Sequence, residues 1–224
     1  VGSEMCIRDR PNINPSGYNT NGDLIKNFQN CIEEMHCLLE KADLFIFTLG
    51  LTEQWRNKDH YVYPVCPGTI CGEFNSSYHE YFNDNYNSAY LDMEIILSLL
   101  KQFNPKIQII LTVSPVPLTA TAENQHVLSA STYSKSVLKC VANDLCKVYD
   151  SVDYFPSFEL VTSHVLSINA FQNNLRTVSV STINRVMDNF NNSISKSKSV
   201  TENHHNTFNS VEEICDEILI EQFN

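Results

Sequence analysis

Along residues 21–42 apolar side chains return every three or four positions, at Leu24, Ile25, Phe28, Ile32, Met35, Leu38 and Leu39. That spacing predicts an amphipathic helix, with Asn21 or Asp23 as its cap. The period then changes. Residues 43–49, DLFIFTL, are an almost continuous apolar run closed by Gly50, the pattern of a strand buried on both faces. The alternation repeats downstream. Residues 88–103 carry Leu91, Ile95, Ile96, Leu99 and Leu100 at helical spacing and stop at Asn104-Pro105, and 107–113 form a second buried strand. A third helix opens at Ser129 or Ser131, holds Tyr133, Val137, Leu138, Val141, Ala142 and Leu145, and feeds a short strand at 152–155. A fourth helix is expected at 180–190. Strand runs joined by helices predict a parallel α/β layer with right-handed crossovers.

The segments between these elements differ in kind. Residues 52–87 hold Pro64, Pro67, Gly68 and Gly72 among many Tyr and Asn, a stretch longer than ordinary connections and expected to be a functional loop. Residues 191–209 are Asn, Ser, Lys and His with few apolar side chains and read as a solvated linker, in which His204 and His205 are solvated histidines. A last amphipathic helix is expected within 210–224. The opening run VGSEMCIRDR resembles sequence found at the ends of translated metagenomic reads and is set apart from the fold, leaving a domain at 11–190.

Composition narrows the partners. With 224 residues and 42% hydrophobic positions the chain has enough core for one domain. Its 26 acidic against 15 basic side chains give a net charge of -11, which disfavours nucleic acid and anionic lipid. No window reaches the ~20 apolar residues of a membrane span. The eight cysteines include no CxxC pair and sit in a chain with ample core, so free thiols and a cytoplasmic setting are favoured. No metal or cofactor is expected, because His60, His79 and His126 match no common zinc spacing.

In an open parallel sheet, ligands bind beyond the carboxyl ends of the strands. Three segments follow strands here: 50–55 (GLTEQW), 114–117 (SPVP) with its loop to His126, and 156–159 (PSFE). Gly50 allows close approach of backbone to a ligand, with Thr52, Glu53 and Gln54 as polar groups at the same rim; the bland alternative is a helical turn capped by Thr52. Trp55 is expected to pack under a loop and Cys66 to be a structural thiol. Ser114 lacks the GxSxG elbow of a nucleophile and reads as a turn serine. His126 is the histidine best placed by topology, equally readable as a helix cap. Glu159 either caps a helix or orients an imidazole.

The strings FTLGLTEQW, YPVCPGT, ILTVSPVPLTATA, YSKSVLK and DYFPSFE, in that order, resemble the GSCFA family, a branch of the SGNH/GDSL-like hydrolases. The resemblance implies a three-layer α/β/α sandwich with a flavodoxin-like parallel sheet. It also implies a serine nucleophile in a Gly-Ser-Cys-Phe-Ala string, which this chain lacks, so the chain resembles a fragment without its first strand. By the same resemblance Gly50 and Thr52 stand where the oxyanion hole forms, with Thr52 in place of Asn and Gln54 as a substitute donor. The expected Asp-x-x-His block falls near FQNNLRTV, which has neither Asp nor His. His126, oriented by Glu159 or Glu53, is the candidate base. Arg176 and Ser114 are candidates to bind substrate. The implied activity is that of an acyl-ester hydrolase or acyltransferase on a small-molecule or carbohydrate ester. The alternative is a non-catalytic module that binds a glycan or a protein.

Overall fold

The computed structural model describes residues 18–69, 73–163 and 169–197. The readings on residues 1–10, 198–209 and 210–224 lie outside them. Two compact units divide the chain, one including Gln54–Phe82 and the other comprising Asn30–Glu53 and Asn83–Ser197.

The larger unit is a parallel α/β layer. Strands β1 (Leu44–Leu49), β4 (Gln108–Val113) and β5 (Val152–Tyr154) run side by side in that order, with Leu44 opposite Gln108 and Ile109 opposite Val152. The helices among the described residues are α1 (Asn21–Lys41), which belongs to this unit from Asn30 on, α2 (Tyr86–Phe103), α3 (Val127–Val148), α4 (Ser157–Thr162) and α5 (Val180–Ser197). Alternation along β4 sets the layers. Ile109, Leu111 and Val113 form one dry face and join Met93, Leu97 and Leu100 of α2 and Leu138, Val141, Ala142 and Leu145 of α3 in the core. Thr112 points to the other face, where its hydroxyl meets that of Ser157 in α4 at 2.6 Å. Helices thus cover both sides of a small parallel sheet, the expected three-layer α/β/α arrangement.

Helix ends follow local chemistry. α1 is capped by Thr20, whose Oγ1 accepts the Asp23 N–H at 3.1 Å, rather than by Asn21 or Asp23. α2 starts two residues before the expected Ser88, because Asn85 and Ser88 form a reciprocal capping box. At its far end Asn104, just beyond the helix, donates to the carbonyls of Leu39 (2.9 Å) and Ala42 (2.8 Å), closing the α1–β1 corner. α3 begins at Val127, ahead of Ser129, with His126 as its cap. α5 runs through Ser197, so residues 191–197, read as linker, are helical.

The smaller unit corrects the reading of 52–87 as one long loop. Strands β2 (Glu53–Asn57) and β3 (His79–Asn83) pair in a separate two-stranded antiparallel sheet. Thr52 therefore opens onto a strand and not a helical turn. Trp55 packs edge-on against Phe74 and Tyr81, each at 5.4 Å, and Arg56 lies 4.4 Å above the Phe82 ring while pairing with Glu80 at 2.9 Å. Buried Asn57 holds the turn by accepting the N–H groups of Asp59 and Tyr61.

Candidate functional site

Because the three strands are parallel, their carboxyl ends lie at one end of the sheet, and the three segments expected there are joined by hydrogen bonds. The Ser114 N–H donates to the Leu49 carbonyl at 2.9 Å, so the exits of β1 and β4 are fixed together. Glu53 binds the loop that leads to His126: Oε1 accepts the Thr121 hydroxyl at 2.6 Å and Oε2 the Ala122 N–H at 3.3 Å. Asn83 donates to Glu123 of that loop at 3.1 Å. Ser157 Oγ reaches the Val113 carbonyl at 2.9 Å, which brings in the segment after β5.

The first turn is the most tightly held. Thr52 is 1% exposed; its N–H donates to Ser134 Oγ at 2.8 Å and its carbonyl accepts from the Asp84 N–H at 2.9 Å. Its hydroxyl is buried without a hydrogen-bond partner among the described residues. Gly50 is exposed, and a Cβ built on it would meet nothing within 4 Å, so its backbone faces open space. The Gly50 carbonyl accepts from the ammonium of Lys135 at 2.8 Å, a lysine only 3% exposed.

Ser134 and Lys135 were not among the sequence candidates. Their signal was present: Lys135 lies three residues before Leu138 and seven before Ala142, on the buried stripe of α3. A lysine at an inward position needs a partner, and the Gly50 carbonyl is one. Tyr133, expected to face inward, is exposed instead.

The remaining candidates divide by what engages them. His126 is exposed, and its Nδ1 accepts the Leu128 N–H at 3.2 Å as the cap of α3. Glu159 pairs with Lys139 at 2.9 Å and accepts the Tyr154 hydroxyl at 2.8 Å. Burial first, and then that carboxylate, push the Tyr154 phenol above its ordinary range. Ser114 Oγ accepts the Val116 N–H at 3.2 Å, the turn role read for it. Arg176 is buried and its Nε donates to the Pro117 carbonyl at 3.2 Å, so it braces the same loop. Gln54 is half-buried and belongs to the smaller unit. There too Cys66 is half-buried, and burial pushes its thiol up, away from the thiolate form.

Among the described residues no group of three or more His, Cys, Asp or Glu is arranged to hold a metal ion, and no helix is long and apolar enough to cross a membrane. Cys31, Cys37, Cys66, Cys140 and Cys146 are free thiols.

A parallel three-layer α/β unit with its polar turns gathered at the strand ends defines the class: an open-sheet α/β protein. Residues 9–190 match the model of the GSCFA family, and the chain belongs to that family. Comparison with curated protein sequences finds no match.

Proposed function

We propose that this chain is the greater part of an SGNH-like acyl-ester hydrolase or acyltransferase domain with a flavodoxin-like sheet, whose nucleophilic serine is supplied by a segment upstream of it. The observation that carries this reading is the rim itself. Gly50 and Thr52, the loop to His126 and the turn at Ser157 meet at the carboxyl ends of parallel strands beside an edge of β1 that no described strand pairs with. A strand added at that edge would deliver a side chain next to Gly50.

In this reading the serine attacks the ester carbonyl, the rim stabilises the oxyanion, and a base takes the serine proton. His126 is the candidate base. With Nδ1 accepting from Leu128, its lone pair sits on Nδ1 and the proton on Nε2. To accept a proton at Nε2 the ring must change tautomer and release its cap. Glu53 is bonded to Thr121 and Ala122 and Glu159 to Lys139 and Tyr154, so in this arrangement neither carboxylate orients the imidazole.

The engagement of His126 in capping favours a second reading, a binding module for a glycan or protein. A polypeptide that includes the upstream serine, assayed on short-chain aryl esters beside its Ser→Ala variant, separates the two. Serine-dependent turnover is expected, with His126→Gln lowering kcat about 100- to 10,000-fold, the usual range for a general base. No turnover in either form would leave the binding module, and turnover unaffected by Ser→Ala would reject the serine mechanism.

A further inference from the structure

Two consecutive peptides at the end of β1 are held by their carbonyls, and each hold fixes the opposite direction of the neighbouring N–H. Leu49 gives its carbonyl to the Ser114 N–H of the β4 exit at 2.9 Å. In a planar trans peptide the N–H points opposite to the C=O, and the described residues contain no cis peptide. The Gly50 N–H therefore points away from β4. The Gly50 carbonyl is held at 2.8 Å by the Lys135 ammonium, so the Leu51 N–H points away from Lys135. Among the described residues neither N–H meets a hydrogen-bond acceptor, and both Gly50 and Leu51 are exposed. By contrast, the Thr52 N–H is already spent on Ser134.

We infer that the N–H groups of Gly50 and Leu51 form the donor pair for a carbonyl-derived oxyanion or carboxylate, and that Lys135 is the positioning residue that aims and strengthens the second donor. An ammonium on a carbonyl polarises that peptide and makes its N–H a better donor, an effect that grows in low dielectric. Burial of Lys135 supplies that setting. The inference rests on the acyl-ester reading for its substrate class. It differs from the sequence expectation in the donor, because Leu51 replaces Thr52 and Gln54.

The test uses this chain, labelled with 15N, titrated with sodium butyrate against sodium chloride at equal ionic strength. Saturable shifts of the Gly50 and Leu51 amides, with Thr52 unmoved, are expected. Lys135→Met should weaken the response at least tenfold while Lys135→Arg restores it, a rescue that loss of packing alone would not give. Butyrate that leaves both wild-type amides in place, or moves them no more than chloride does, overturns the inference even if Lys135→Met fails to fold. Equal responses in Lys135→Met and wild type overturn the role of Lys135. The outcome is independent of the ester assay: shifts without serine-dependent turnover would retain the donor pair and reject the enzyme, and turnover without shifts would do the reverse.

Discussion

Two helix–strand pairs in this molecule have similar patterns and opposite fates. In α3 and β4 the periodic apolar positions are dry, with Val141, Leu145 and Leu111 at 0% exposure. In α1 and β1 the same kind of pattern lies open: Phe28 is 61% exposed, Met35 54% and Ile46 47%. The corner is packed, through Leu39 and Ala42, and β1 turns Phe45, Phe47 and buried Leu49 to the core on its covered face. The periodicity of a sequence thus reports which face an element is built to bury, and not whether a partner is there to bury it. β4 has strands on both sides, whereas β1 has one only on its β4 side among the described residues.

The comparison can be broken most sharply in the core. Leu111→Ala should destabilise the chain by about 2–5 kcal/mol, read by denaturant unfolding, because the cavity opens in the packed layer. Asn104→Ala comes next. It leaves the carbonyls of Leu39 and Ala42 without their side-chain donor where α1 turns into β1, at about 1–3 kcal/mol. A smaller effect appears only at high pH. Tyr154 has its ionisation raised in the fold, so its contribution is fully present below the unfolded phenol value and is lost as pH rises through the folded one. Tyr154→Phe should flatten the alkaline loss of stability above about pH 10. The least effect belongs to the open stripe: Phe28→Ser should change stability by no more than about 0.5 kcal/mol in this chain. A large loss there would mean that the stripe is covered after all.

The parallel layer was legible because apolar runs bounded by Gly50 or Asn104-Pro105 leave little choice of period. The rim was legible by the same logic, since strand direction alone gathers the turns after β1, β4 and β5. The β2–β3 sheet was not, because EQWRN and HEYFN are short, polar and half-buried, without the alternation that marks a strand with one covered face. Within the site, residue type was a poor guide to role. His126, Arg176 and Glu159 carry suggestive chemistry and are engaged as cap, brace and ion pair, while Lys135 belongs to no catalytic motif and is marked by its place on the α3 stripe.

The open edge of β1 is the claim on which the reading of the site depends, and amide hydrogen exchange tests it directly. Parallel register makes Phe45, Phe47 and Leu49 donate to β4 and turns the N–H groups of Leu44, Ile46 and Thr48 outward. In this chain the first set should be protected and the second should exchange freely; in a polypeptide that includes the proposed upstream serine segment, both should be protected. Protection of all six amides in the shorter chain, or unchanged exchange of Leu44, Ile46 and Thr48 in the longer one, would contradict the account.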